Sequence, residues 1–144
     1  MDIKSLGHVV VKVRDRDRAE AFYNGVLGLP IAARYDERDM TFFSLGNHHD
    51  FAIRAVGEDA PAPDRDGIGL LHVAFNIGAD VADLKSAKQA LEAAGVKVRS
   101  IDHEITQSIY FNDPDGNGLE VYVDVSDAWR DDPDLIAQNK PLDL

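Results

Sequence analysis

The sequence predicts an α+β fold made of two βαβββ units, whose strands together form a curved mixed sheet around a cavity. First, an order of one strand, one helix and three strands occurs twice along the chain. Second, His8 and His72 hold the same place in the first strand of each copy, 64 residues apart. Third, residues 57–67 form a Pro-, Gly- and acid-rich connection between the copies. These observations indicate an internal duplication.

The first unit spans residues 5–56. Residues 6–13 alternate as a strand, with His8 on its mixed face. Apolar residues at helical spacing follow Asp15 and Asp17, which are potential N-caps, and predict a helix of about three turns. Three short strands complete the unit, at residues 31–35, 41–45 and 49–56.

The second unit spans residues 68–125 and repeats this order. Residues 70–77 alternate as a strand that places His72 as His8 is placed. Asp80 is the expected N-cap of a helix that Gly95 ends. Three strands follow, at residues 96–101, 108–112 and 119–125. Residues 126–144 are then a polar tail outside the 1–125 domain, expected at the surface or in a dimer contact.

The turn-rich segment 113–118 separates two short β-rich runs and predicts a hairpin. Strand alternation places Glu120 and Tyr122 on one face of its second strand and the aliphatic residues on the other. The polar face also carries His8 and His72 in their strands, so we expect these side chains to converge inside the cavity.

The composition of the chain limits the classes of binding partner that we expect. A net charge of −11 argues against nucleic acid and anionic membranes, which favour clustered Lys and Arg, and leaves a small molecule as the expected partner. The chain has no cysteine, so a metal would be held by His and carboxylates. No apolar run approaches the roughly 20 residues that span a bilayer, and the N-terminus lacks a secretory pattern. We therefore expect a cytoplasmic protein.

Two imidazoles and one carboxylate match the facial ligand arrangement of Fe(II) oxygenases. The same ligand set also binds catalytic zinc, so it does not decide the identity of the metal. A single strand His is more often structural than a ligand, and an isolated Glu is more often solvated. The duplicated placement of His8 and His72 favours ligands. His48, His49, His103 and Tyr110 are further candidates for moving protons, against the ordinary alternatives of a solvated turn, a strand end and sheet packing.

The stretch from His103 to Glu120 resembles the signature of extradiol ring-cleaving dioxygenases in the vicinal oxygen chelate superfamily. It has a His, five residues, an aliphatic-Tyr pair that ends at Tyr110, then DPDG and the Glu. The opening GHVVVKVRDRDRAEAFYNGVLGLP, the LLHVAF around His72 and the HHDFAI that contains His49 are similar to further segments of that family. The resemblance covers residues from about 5 to 125 and leaves the tail out.

The resemblance implies that His8, His72 and Glu120 bind Fe(II), with Mn(II) or another divalent metal also possible. It implies that His49 is the acid/base residue beside bound dioxygen. Strand alternation places His49 on the apolar face instead, unless the start of the strand escapes the alternation. His103 and Tyr110 would hydrogen-bond the substrate oxygens or the ring-cleavage intermediate.

The activity implied by the resemblance is ring cleavage of a catecholic aromatic with O2. The best-known enzymes of this type have four βαβββ units where this chain has two, so a homodimer or higher homo-oligomer is expected. Two alternatives stay open. A glyoxalase- or epimerase-like isomerase usually takes a fourth ligand from the last strand of the first unit, which offers Asp50, Ala52 and Arg54 but no Glu. A non-catalytic module that sequesters a drug or toxin shares the fold without the metal.

Overall fold

The computed structural model describes residues 1–64 and 66–144. The chain forms two compact units. The first contains Met1–Asp64 and Pro114–Gly116. The second contains residues 66–113 and Asn117–Leu144. Each unit has its own sheet, of four strands in the first and five in the second. The predicted α+β class and the two βαβββ units are confirmed.

The first sheet has the strand order β1-β4-β3-β2, in which β1 and β4 run parallel and the other neighbours are antiparallel. Its strands are β1 (Val9–Val13), β2 (Ile31–Tyr35), β3 (Met40–Phe43) and β4 (Phe51–Ala55). β1 starts one residue after His8, and β4 starts two residues after His49. Both histidines therefore lie in loops at the ends of neighbouring strands and not inside the strands predicted from sequence.

The helix of the first unit starts as α1 (Arg16–Glu20) and continues as a π-helical segment over Ala21–Val26. Of the two expected N-caps, Asp15 is the one used, since its carboxylate accepts from the Arg18 amide at 2.7 Å. Tyr23 is fully buried, with its ring 4.8 Å from that of Phe51 in β4. The helix thus covers the apolar face of its own sheet.

The second sheet has the order β5-β8-β7-β6-β9, with β5 and β8 parallel and the other neighbours antiparallel. The elements of this unit are β5 (Val73–Asn76), α2 (Val81–Ala93), β6 (Arg99–Asp102), β7 (Thr106–Asn112), β8 (Gly118–Asp124) and β9 (Lys140–Pro141). Apart from β9, the strand order repeats that of the first sheet. His72 immediately precedes β5, as His8 precedes β1.

Helix α2 has the caps predicted for it. The Asp80 carboxylate accepts from the Ala82 amide at 2.8 Å, and Gly95 takes the left-handed conformation (φ +77°) just past the C-terminal end. Leu84 and Leu91 are buried, and the helix packs on β7 and β8. Within the described residues, no helix has the length and apolar character needed to cross a bilayer.

Residues 126–144, expected as a tail outside the domain, cluster with the second unit. After two short 3₁₀ turns they add β9 to the sheet beside β6. The ammonium of Lys140 forms an ion pair with the carboxylate of Glu104. Lys140 and Pro141 of the tail are thus part of the second sheet.

The segment Pro114–Gly116 belongs to the first unit, although its neighbours in the chain belong to the second. The buried carboxylate of Asp115 accepts from the backbone amide of Arg14 at 2.9 Å and from its guanidinium at 2.9 Å. The Arg18 guanidinium donates to the same carboxylate at 3.1 Å. One buried acid therefore fixes the tip of the β7–β8 hairpin to the start of the first unit's helix.

Candidate metal centre and its neighbours

His72 and Glu120, two of the three ligands that the sequence resemblance implies, are adjacent in the second unit. Nε2 of His72 lies 3.1 Å from Oε2 of Glu120. The imidazole is one-third exposed, whereas the carboxylate is only 9% exposed. β8 supplies Glu120 opposite Ala74 of β5, two residues after His72. The parallel pairing of the two strands is what brings the imidazole to the carboxylate.

Gly118 makes this close approach possible. A Cβ added at this position would lie 2.3 Å from the carbonyl oxygen of Leu71 and 3.3 Å from Cβ of His72. The backbone before β5 therefore passes directly against the first residue of β8, where only glycine leaves room. The sequence interpretation treated Gly118 only as a turn former, although a glycine at a strand start is itself a signal of close backbone approach.

Tyr110 lies beside the pair. It faces Glu120 across the β7–β8 ladder, and its ring makes an edge contact with that of His72 at 5.5 Å between centroids. The guanidinium of Arg99 covers the same ring at 5.3 Å. Burial and the Glu120 carboxylate raise the pKa of Tyr110 to about 12, so the phenol is protonated at neutral pH and can donate a hydrogen bond.

His103 and Tyr110, which the resemblance places together around the substrate oxygens, are in contact. Nε2 of His103 lies 2.9 Å from the Tyr110 hydroxyl. Nδ1 of His103 lies 2.6 Å from the backbone carbonyl oxygen of Gln138 in the tail. Sequence reasoning missed this carbonyl, because backbone groups of a polar tail carry no pattern that assigns them to a site.

His8 and His49 meet in the first unit. Their ring centroids are 4.2 Å apart, and Nδ1 of His49 lies 2.8 Å from Nδ1 of His48. Burial and the neighbouring imidazoles of His8 and His48 lower the pKa of His49, which favours the neutral ring at neutral pH. Because β4 begins only at Phe51, strand alternation does not reach His49. The conflict between alternation and resemblance at this residue therefore disappears.

The His72–Glu120 pair fits two ligands of one metal ion. An imidazole nitrogen and a carboxylate oxygen that each lie about 2.1 Å from an ion, at right angles, are separated by about 3 Å. The same 3.1 Å also suits an ion pair in the absence of metal. No group of three or more His, Asp or Glu residues placed to hold a metal occurs in residues 1–64 and 66–144.

Ser108 is a further polar residue on the inner face of β7 that sequence reasoning missed. Its side chain is completely buried, and its hydroxyl has no hydrogen-bond partner of ordinary geometry among the described residues. It is two positions from Tyr110 and shares its face of the strand, where it acts to lower the pKa of that phenol. A buried hydroxyl of this kind is a potential donor to a ligand oxygen.

The strand order of the two sheets, the helix of each unit and the His72–Glu120 pair can be compared with known protein families. Residues 5–121 match the family described as the Glyoxalase/Bleomycin resistance protein/Dioxygenase superfamily. The chain belongs to this superfamily, as the resemblance predicted.

Individual relatives differ in activity. The chain is 28% identical to the catechol-2,3-dioxygenase of Bacillus subtilis (strain 168) over 132 residues, which cover 88% of this chain and 44% of that protein. It is 29% identical to the glutathione transferase FosA of Serratia marcescens over 126 residues, 84% of this chain and 82% of FosA. The chain thus spans less than half the length of the dioxygenase and most of the transferase.

A solved structure supports the fold. The glyoxylase/bleomycin resistance protein/dioxygenase domain from Frankia sp. EAN1pec superposes with a TM-score of 0.74 at 20% identity, covering 89% of this chain and 97% of that domain.

Proposed function

We propose that the protein is an Fe(II)-dependent extradiol dioxygenase that cleaves a catecholic ring with O2. The observation that carries the proposal is the His72–Glu120 pair, in which a nitrogen and an oxygen of ligand type lie 3.1 Å apart beside a protonated tyrosine. The similarity to the Bacillus subtilis catechol-2,3-dioxygenase supports it. Mn(II) is the alternative metal, since carboxylate and imidazole also suit that ion.

The proposed ligands are His8, His72 and Glu120. When bound, the ion would orient the two substrate oxygens and dioxygen and supply the electron transfer that ring cleavage needs. The protein supplies orientation and proton handling. Glu120 is held almost completely out of water, and the contacts around it fix the position of its carboxylate.

Two neighbouring groups would handle protons and hydrogen bonds. The protonated hydroxyl of Tyr110 would donate to a substrate oxygen and stabilise negative charge that develops there. His49, whose lowered pKa leaves it neutral at pH 7, would accept a proton and return it as general acid. His103 would act through its contact with Tyr110. The partners are then a small aromatic diol and O2, with a homodimer as the proposed assembly.

Metal content and turnover test the proposal together. Protein purified without oxygen should contain about one iron per chain, and a simple catechol should then give the yellow ring-cleavage product. His8→Ala, His72→Ala and Glu120→Ala should each lose the iron. His49→Ala and Tyr110→Phe should retain it and turn over about 10²–10⁴-fold more slowly. Retention of both iron and full turnover in all five variants would sink the assignment.

A second candidate is a glutathione transferase like FosA, because this chain covers 82% of that protein and only 44% of the dioxygenase. Such an enzyme would join glutathione to a small electrophile. Incubation with glutathione and fosfomycin, followed by mass spectrometry, separates the candidates: an adduct without catechol cleavage favours the transferase.

The isomerase alternative is less well supported by the strand register. Glu120 lies opposite the second residue of β5, and the residue opposite the second residue of β1 is Ala52, whose methyl group cannot bind a metal. The carboxylate of Asp50 accepts a hydrogen bond from the Leu45 amide at 2.6 Å, within its own loop. Zinc or nickel in the purified protein without ring cleavage would favour the isomerase, and protein without metal would favour the sequestering module.

A further inference from the structure

We propose that the docked tail, residues 138–142, is a positioning element of the candidate site that fixes the tautomer of His103. The Gln138 carbonyl would hold the ring proton on Nδ1, so that Nε2 receives the hydrogen of the Tyr110 hydroxyl. The use of this arrangement in catalysis rests on the proposed function, whereas the tautomer itself does not.

The tail is attached to the second sheet at several points. β9 pairs with β6 through Lys140 opposite Asp102 and Pro141 opposite Ile101. The amide of Leu142 donates to the Ser100 carbonyl at 3.4 Å, and Lys140 pairs with Glu104. These contacts place the Gln138 carbonyl, two residues before β9, at the imidazole of His103.

The hydrogen-bond chemistry assigns the proton. A carbonyl oxygen can only accept, so Nδ1 of His103, 2.6 Å from the Gln138 oxygen, must carry hydrogen. In the neutral imidazole the other nitrogen then has a lone pair and no hydrogen. Nε2 is 2.9 Å from the Tyr110 hydroxyl, which therefore donates to it.

The backbone around His103 is fixed independently of the ring. Its amide donates to the Thr106 carbonyl at 2.9 Å, and its carbonyl accepts from Ile105 at 2.8 Å. Glu104 takes a left-handed conformation (φ +68°), which the bond from its amide to the Asp102 carboxylate stabilises at 2.7 Å. With the main chain fixed, the tail carbonyl is the group that selects the ring tautomer.

The tautomer decides where the Tyr110 hydrogen points. Tyr110 has one hydroxyl hydrogen, for which Nε2 of His103 and the carboxylate of Glu120 compete as acceptors, whereas the Ser108 hydroxyl acts as a donor to the phenol oxygen. A His103 ring protonated at Nε2 would donate to the phenol oxygen and turn the hydroxyl hydrogen towards Glu120. In the ligand-free protein the tail, by holding the proton at Nδ1, keeps that hydrogen on His103 and away from the Glu120 oxygens. A bound substrate oxygen would then compete with Nε2 of His103 for it.

The test is the ¹⁵N chemical shifts of the His103 ring in metal-free, full-length protein, which distinguish protonated from bare imidazole nitrogens. The expected result is a protonated Nδ1 and a bare Nε2. A semisynthetic chain with an ester in place of the amide between Gln138 and Asn139 weakens the acceptor and should shift the Nδ1 proton signal towards its unbonded position. The same ester between Leu142 and Asp143 is the matched control and should leave that signal unchanged.

A recombinant series gives a second measurement. Lys140→Glu repels Glu104 and should shift His103 towards the Nε2-protonated form, and the double exchange Lys140→Glu with Glu104→Lys should restore the wild-type spectrum. Lys85→Glu makes the same charge change on the exposed side of α2 and should have no effect.

Either of two results overturns the proposal: a wild-type His103 that carries its neutral-ring proton on Nε2, or an unchanged His103 spectrum in both the ester chain and Lys140→Glu. Neither depends on metal or turnover. A protein that shows the expected tautomer but cleaves no catechol would contradict the proposed function and leave the positioning role intact.

Discussion

At the scale of single residues, Gly118 has the most direct influence on the His72–Glu120 pair. The Cβ of Gly118→Ala would lie 2.3 Å from a backbone oxygen, which cannot rotate away as a side chain would. We expect a loss of about 1–3 kcal/mol in the free energy of unfolding, together with weaker metal binding, because the start of β8 must move away from His72. Urea unfolding and metal titration measure the two effects.

Gly69→Ala is the control for that substitution, since it lies in the same unit, near His72 in sequence, and has open space around its Cα. It should leave both quantities within experimental error. Equal metal affinity in the two variants would contradict the role assigned to Gly118.

Glu20 is a residue whose charge state should be visible in stability. Its carboxylate is 13% exposed, accepts from Arg34 at 2.7 and 2.9 Å, and contacts the buried Thr41 hydroxyl. The hydrogen bond from Arg34 lowers the pKa of Glu20 in the folded protein. A lowered acid pKa stabilises the fold fully above the unfolded-state pKa, and this stabilisation disappears as pH falls through the lowered value.

Glu20→Gln should therefore reduce stability at pH 7 by about 1 kcal/mol. The difference from wild type should shrink as pH falls below about 5. Thermal unfolding across pH 7 to 3 measures it, with the exposed Glu37→Gln as the control that should follow the wild-type curve. A constant difference at all pH values would mean that Glu20 acts by packing and not by charge.

At the scale of elements, the most unusual contact joins Asp115, at the tip of the β7–β8 hairpin, to Arg14 and Arg18 at the start of the first unit's helix. Asp115 is 7% exposed and accepts from two guanidinium groups and a backbone amide. Asp115→Asn should cost about 2 kcal/mol, because Arg14 and Arg18 would lose their shared charge partner while Arg14 stays mostly covered. Chemical denaturation measures this loss, and the exposed Asp59→Asn should match wild type. A loss no larger than that of the control would show that the contact is energetically neutral.

The sequence predicted which segments form helices and strands more accurately than it predicted where those helices and strands begin and end. The two strand–helix openings were predictable because apolar alternation, Asp caps and a glycine stop all agreed, as at Asp80 and Gly95. The strands predicted to contain His8 and His72 were predicted too long at their starts, since alternation continues in the sequence where strand pairing has already ended. The π-helical segment after Glu20 was not predictable, because helical periodicity does not report a widened turn.

The candidate site divides in the same way. Strand alternation and the duplication singled out His72 and Glu120 as candidate ligands, whereas the roles of Tyr110 and His103 came from the resemblance. Gln138 was not predictable, because it contributes a backbone oxygen that any residue would supply. His49 was predictable by resemblance and not by strand alternation, which applies only inside a strand.

At the scale of the whole molecule, charge is the dominant property. With 26 acidic and 15 basic residues the folded chain repels itself, and salt screens this repulsion. We expect the melting temperature to rise by a few degrees between about 0.01 and 0.5 M NaCl, over which the Debye length falls several-fold. Differential scanning calorimetry measures the rise.

The double variant Asp59→Lys with Asp131→Lys lowers the net negative charge by four at exposed positions and should show a smaller salt response. Equal responses in both proteins would mean that salt acts through local ion pairs and not through net charge.

The hairpin tip Pro114–Gly116, which lies in the second half of the sequence and packs with the first unit, has a consequence for dividing the gene. A cut in the 57–67 connection would give two fragments, of which the first lacks the acid that its own arginines require. The first fragment would not be a self-sufficient module, and its fold would be complete only on co-expression with the second. The two similar halves cannot therefore be separated at the connection between them, because a small part of the second half of the sequence belongs to the first unit.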